Sequence, residues 1–201
     1  MYIKDYKYIV FYLKMLWASF AKPAGIFDNF FNKAVSWITG GEYCHSEFIF
    51  QLEEERLANI LEEIDGHTNI KENFRKFSEN NTVNLCFYVL WGDIVSYRFL
   101  KETHNNPFYR MPNDIQYTQL HIDIDHQKEL DIMKFLLQEC GKFYDYTGAL
   151  AYFVPWRNQS ETYDKYFCSQ LMLTAMQKID MYTNHNPASI TPNQLYKIIK
   201  S

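Results

Sequence analysis

What the sequence lacks narrows its chemistry first. The four cysteines, Cys44, Cys86, Cys140 and Cys168, are widely spaced and form no CxxC pair. That spacing argues against a zinc ribbon or thioredoxin-type redox chemistry. No long basic run is present and the formal net charge is -4, so no basic face offers phosphate contacts to a nucleic acid. No apolar run is long enough to span a bilayer. The longest at the N-terminus, Ile9 to Phe20, is broken by Lys14 and follows Lys4, Asp5 and Lys7. A secretory leader plan is also missing, so free thiols in a reducing, cytoplasmic interior are expected. With only 7 glycines in 201 residues, few tight turns are available.

Aromatic and apolar side chains are abundant instead. Tyr and Phe number 16 each and hydrophobic residues make up 47% of the chain, enough for a sizeable core and far from a disordered composition. The same rings suit an aromatic-lined groove. Acidic residues cluster at Glu53, Glu54, Glu55, Glu62 and Glu63 and read as a solvated face.

Periodicity divides the chain into helices and strands. Ile9, Tyr12, Leu13, Leu16, Trp17 and Phe20 recur at helical spacing, as do Phe27, Phe30, Phe31, Ala34 and Val35. Residues 1–38 therefore read as an N-terminal helical extension on a domain of residues 39–201. The extension's basic, broadly apolar first helix suits a membrane surface, but docking on the domain is the reading preferred. Strands are expected at 43–51, 83–91 and 116–124, a helix start within Asp93 to Glu102, and loop from His104 to Asn113. Asp125 is placed to cap a helix from His126 to about Gly141. Later helices follow near 144–153, over Tyr166 to Met181, and from a Thr191 cap to Lys200. The whole reads as an α+β domain.

Cys168 is the thiol with chemical promise. It opens a helix, where free backbone N–H groups and a partial positive charge favour thiolate and would stabilise an oxyanion. A structural core cysteine fits the same position. His45 is the candidate base, and Glu47 shares its strand face because side chains repeat every two residues. Glu47 would orient the ring, or simply pair with a lysine; Asn84 is the fallback. His121, Asp123, Asp125 and His126 lie close in sequence, but a half-buried strand followed by a cap accounts for them, and neither metal nor cofactor is expected.

Several segments together resemble a known family. Tyr43-Cys44-His45-Ser46-Glu47-Phe48-Ile49-Phe50 follows a Thr-Gly turn, and Lys142-Phe143-Tyr144-Asp145-Tyr146-Thr147-Gly148 precedes Tyr166-Phe167-Cys168-Ser169-Gln170-Leu171. The tail runs Asn186-Pro187-Ala188-Ser189-Ile190-Thr191-Pro192-Asn193-Gln194-Leu195-Tyr196. In this order they are similar to the permuted papain-like, NlpC-like cysteine hydrolases. That family includes YiiX/YaeF-like bacterial proteins, poxvirus and phage members, and lecithin:retinol acyltransferase.

The resemblance implies an antiparallel sheet packed against the helix that carries the nucleophile. It implies Cys168, His45 and Glu47 as catalytic residues, with Tyr166, Gln170 and Tyr144 lining the substrate site. The reaction would be hydrolysis of a peptide, isopeptide or acyl ester bond by a viral or phage-type protein. The alternatives are a lipid acyltransferase or thioesterase, and an inactive virion or interaction protein that retains the fold. Gln170 stands where members often carry Glu, and residues 53–82 lack the family's usual pattern.

Overall fold

Five strands pair antiparallel in one sheet, in the spatial order β4-β3-β2-β1-β5. They are β1 (Met15–Ala21), β2 (His45–Glu53), β3 (Thr82–Tyr88), β4 (Ser96–Leu100) and β5 (Tyr117–Ile122). The computed structural model describes residues 15–23, 30–63, 70, 73–100, 117–151 and 164–201. In chain order its helices are α1 (Phe30–Ile38), α2 (Glu54–Glu62), α3 (His126–Glu139), α4 (Tyr146–Ala151), α5 (Cys168–Gln177) and α6 (Pro192–Lys200). A short parallel pair, Phe143–Tyr144 (β6) with Lys165–Tyr166 (β7), sits just before α5. The α+β class and the antiparallel sheet stand as expected.

Each sheet face has its own character, because alternate side chains point opposite ways. Leu16, Ala18 and Phe20 of β1, Phe48, Phe50 and Leu52 of β2, and Val83, Leu85 and Phe87 of β3 share one core with the helices. There they meet Ile132, Met133 and Leu136 of α3, Leu171 and Met172 of α5, and Leu195 of α6. On the other face a smaller cluster, Ile49, Cys86 and Leu100 with Trp17, Tyr88 and Tyr117, draws its members from the strands alone.

Two expectations are corrected. Residues 15–21 are strand rather than part of a helical extension, and β1 is interior, pairing with β2 on one side and β5 on the other. The extension's second helix does form, as α1. The sequence Met-Leu-Trp-Ala-Ser-Phe-Ala misleads because a strand covered on both faces reads as a continuous apolar run, and such a run carries no period of two. Likewise, the stretch expected to start a helix after Asp93 contains the edge strand β4. The loop expected at His104 to Asn113 lies outside the described residues. Residues 53–82, which lack the family's usual pattern, contain α2 and a 3-10 turn at Phe74–Phe77.

Other local signals hold. Asp125 accepts the Lys128 N–H at 2.9 Å and caps α3. Thr191 caps α6 through the Gln194 N–H, and Gln194 returns a bond to the Thr191 N–H, a full capping box. Asn80 and Asn81 take positive φ in the tight turn leading into β3, a conformation asparagine tolerates.

The C-terminal segment stitches the two halves of the chain together. Asn193, at the start of α6, accepts the Tyr43 N–H at 2.9 Å and donates to the Tyr43 carbonyl at 3.0 Å and to Thr39 Oγ1 at 2.6 Å. That fixes the turn that delivers the chain into β2. Gly41 is required there, since a Cβ would lie 2.2 Å from Asn193 Oδ1. Three residues upstream of Asn193, the Ile190 carbonyl accepts the Ser169 hydroxyl at 2.7 Å and anchors the first turn of α5. The Asn193→Ala variant leaves the buried Tyr43 amide groups unpaired, and is expected to lose about 2–4 kcal/mol of stability in urea denaturation.

Candidate active site

Cys168 is the first residue of α5, and His45 is the first residue of β2. The Phe167 carbonyl already accepts the Leu171 N–H at 3.0 Å, so the N–H groups ahead of Leu171 have no acceptor four residues back in the helix. The thiol is buried and interacts with the His45 ring and with the Ser46 backbone N–H and hydroxyl. Residues from opposite halves of the sequence therefore meet at one helix N-terminus.

On the His45 ring, Nε2 lies 3.6 Å from Glu47 Oε2, an ion-pair separation. Glu47 is 1% exposed. Its Oε2 also accepts from Arg98 Nη2 at 2.9 Å, and the Arg98 guanidinium stacks 4.8 Å from the Tyr88 ring centroid. The arrangement runs as a chain of alternating charge: Cys168, His45, Glu47, Arg98.

Electrostatics favour the charged forms of both Cys168 and His45. Burial opposes charging of His45, but the neighbouring Cys168 and Glu47 outweigh it and raise the ring to about 10. Burial likewise raises the Cys168 thiol, but His45 and then Ser46 outweigh that and bring it below its ordinary value. The raised imidazolium contributes stability that is complete below pH 6.5 and is lost as pH rises through about 10. The lowered thiolate contributes stability that is complete above the ordinary thiol value and is lost as pH falls through the lowered one. Between those limits the thiolate–imidazolium pair is the favoured form.

The other thiols behave in the opposite sense. Burial pushes Cys140 up to about 12 and Cys86 well above the ordinary value. Cys44 is buried, with its sulfur 3.5 Å from the Ala21 carbonyl.

The sequence singled out Tyr166, Gln170 and Tyr144 for the substrate site, and the structure gives them different tasks. Gln170 Oε1 accepts the Phe167 N–H at 3.4 Å, so its amide folds back over the start of α5. A helix-capping role needs no charge, which makes glutamine sufficient there. Tyr166 is 1% exposed, with the Lys142 ammonium 5.5 Å from its ring centroid, and belongs to the core. Tyr144 pairs with Tyr166 and is close enough to feel the Cys168 charge, but burial dominates and raises its phenol. Tyr144 therefore borders the thiol electrostatically.

Asp145 accepts Thr147 Oγ1 at 2.8 Å and the Gly148 N–H at 2.9 Å, closing the first turn of α4. A Cβ on Gly148 would meet Asp145 Oδ2 at 2.2 Å, which explains glycine three residues after this aspartate.

Asn84 is not brought to the imidazole. It pairs with Gln51, six residues along β2 from His45, about 20 Å away at strand rise. The candidate metal residues also disperse. His121 packs edge-on against Trp17, Asp125 caps α3, and His126 Nδ1 contacts Arg56, which pairs with Glu129. No group of three metal-binding side chains occurs among the described residues.

Arg98 was missed in the sequence. A lone arginine in a segment read as helix start carries no signal until β4 is known to lie two strands from β2. Comparison with protein-family models, curated proteins and solved structures gives no match.

Two outcomes are expected from this geometry. In Glu47→Gln, which removes the charge that helps raise the ring, the His45 imidazole titrates at lower pH than about 10, followed by NMR of the ring protons. Arg98→Met removes the nearer of the two cations that flank the buried Glu47 carboxylate and costs about 3 kcal/mol, read as a lowered denaturation midpoint.

Proposed function

We propose that the chain is a cysteine hydrolase of the permuted papain-like, NlpC-like type, with Cys168 as nucleophile and His45 as its acid and base. The observation that supports this best is the buried pairing of Cys168 with His45, in which each group is shifted toward its charged form. The chain order fits the permuted arrangement, with the imidazole on an early strand and the thiol on a late helix.

The chemistry follows in two halves. The Cys168 thiolate attacks a carbonyl carbon, and the resulting oxyanion sits beside the Cys168 N–H at the helix start. As the tetrahedral centre collapses, the His45 imidazolium gives its proton to the departing amine or alkoxide, leaving a thioester on Cys168. The now neutral ring takes a proton from water, whose oxygen attacks the thioester. Collapse releases the acid and regenerates the thiolate beside a protonated His45. Glu47, held by Arg98, stabilises the imidazolium that begins and ends the cycle.

A second reading, acyl transfer to another nucleophile, draws on one surface feature. Leu90, Trp91, Ile94, Phe143, Tyr146 and Leu150 are all exposed and large. Trp91 and Tyr146 pack against Tyr144, the ring that borders the thiol. An apolar patch of this kind suits an acylated substrate.

Iodoacetamide alkylation mapped by mass spectrometry across pH tests the proposal. Cys168 is expected to react first, with an apparent pKa well below about 8.5. Cys140 should not react until the pH approaches 12. In His45→Ala the advantage of Cys168 should vanish. If Cys168 is no faster than Cys86 in the wild-type chain, the hydrolase reading fails, and a binding protein that kept the fold takes its place.

A further inference from the structure

One serine is out of keeping with its surroundings. On β2 the side chains of Ser46, Phe48, Phe50 and Leu52 point to one sheet face, because they repeat every two residues. The three apolar members belong to the core shared with the helices. Directly opposite Ser46 on β1 stands Phe20, another core ring. Ser46 is the one hydroxyl of that column and is 1% exposed. Its Oγ completes no hydrogen bond in the free protein. Buried hydroxyls are nearly always paired, and one left open costs stability. Alanine would fill the same position without that cost.

The serine lies where the thiol is. Cys168 opens α5, which packs on β2, and His45, whose ring acts on the sulfur, directly precedes Ser46. The Ser46 hydroxyl and backbone N–H also act on the Cys168 sulfur, and both favour its anion. A thiol is a weak acceptor, whereas hydrogen bonds to an ionised acceptor are the strong ones. A hydroxyl that stands unpaired beside a thiol, on a strand that fixes its position, is therefore preorganised for charge that forms on the sulfur.

The ionisable groups facing that sulfur are His45 from β2 and Tyr144 from β6. Burial raises the Tyr144 phenol and so keeps it neutral, and Glu47 pairs with the His45 ring. Burial is the largest influence on the thiol and His45 the next, so the hydroxyl adds to the imidazolium and does not replace it. We infer that the Ser46 hydroxyl is a second side-chain hydrogen-bond donor to the Cys168 sulfur, beside the His45 imidazolium. The inference rests on the hydrolase reading and adds a residue to its machinery. Ser46 then steadies the same thiolate twice. It does so before attack on the carbonyl, and again when the carbon–sulfur bond of the acyl-enzyme breaks and its electron pair returns to sulfur.

Ser46→Ala removes the hydroxyl and keeps the backbone N–H. The readout is the pH profile of iodoacetamide alkylation at Cys168, mapped by mass spectrometry. In Ser46→Ala the profile is expected to move up by about one pH unit, so that Cys168 reacts about tenfold slower than in the wild type on the acid limb and equally fast on the alkaline plateau. Ser46→Thr, which retains a hydroxyl, should keep the wild-type profile. A reactive wild-type Cys168 whose profile is unchanged in Ser46→Ala overturns the inference and leaves the hydrolase reading standing. A lowered thermal midpoint with that profile unchanged does the same, since the serine would then serve packing alone. An equal upward move in Ser46→Thr, with both variants folded by circular dichroism, also overturns it, because altered packing would account for both. If wild-type Cys168 is no faster than Cys86, the hydrolase reading fails and this inference falls with it.

Discussion

A thiol and an imidazole taken from opposite halves of a chain act on each other only if both backbones are fixed, and here one short C-terminal segment fixes both. Asn193 bonds both the N–H and the carbonyl of Tyr43 and so sets where β2 begins. Three residues before it, the Ile190 carbonyl holds Ser169 and so sets where α5 begins. His45 and Cys168 are the first residues of those two elements. The need for a fixed start explains Gly41, which alone leaves room for the Asn193 amide. It also explains why α6 is capped at both partners of a capping box, since fraying there would release the turn before β2.

The Cys168–His45 pair is expensive to bury in charged form, and its surroundings offset that cost. The positive charge of His45 sits between the sulfur and Glu47, and the negative charge of Glu47 sits between His45 and Arg98. No charge in the series lacks an opposite neighbour, which is the condition for ionised groups to persist away from water. Desolvation alone would have neutralised both groups; the direction of the shifts reverses because the neighbours are close and of the right sign. The thiols at Cys86 and Cys140 go the other way: at Cys86 burial and Glu47 outweigh the opposing Arg98, and at Cys140 burial and Glu139 act together.

The two faces of the sheet divide the labour. One carries Phe and Leu side chains into the helices and stabilises the fold. The other mixes Trp17, Tyr88 and Tyr117 with Arg98, Glu47, Ser19 and Gln119 and carries the charged series that ends at His45. The strand period of two makes that division sharp, because a shift of one residue would exchange the faces entirely. His45 and Glu47 keep their common face through the same rule.

Much of this was legible in the amino-acid order, and the limits of that legibility are physical. The helix opening at Cys168, the strand carrying His45 and Glu47, and the caps at Asp125 and Thr191 rest on local rules: spacing, capping chemistry and glycine punctuation. Such rules act within a few residues and survive without knowledge of the fold. Three features needed the tertiary structure. β1 is buried on both faces, which erased its period and made it resemble a helix. Gln170 has the right position to meet a substrate, but its amide is engaged by the Phe167 N–H. Arg98 and Ser19 lie 51 and 28 residues from Glu47 in sequence, and only strand order and register bring them beside it. The sequence alone determined which residues have reactive chemistry; the pairing of strands decided which of them face one another, because contacts across a sheet depend on register and not on distance along the chain.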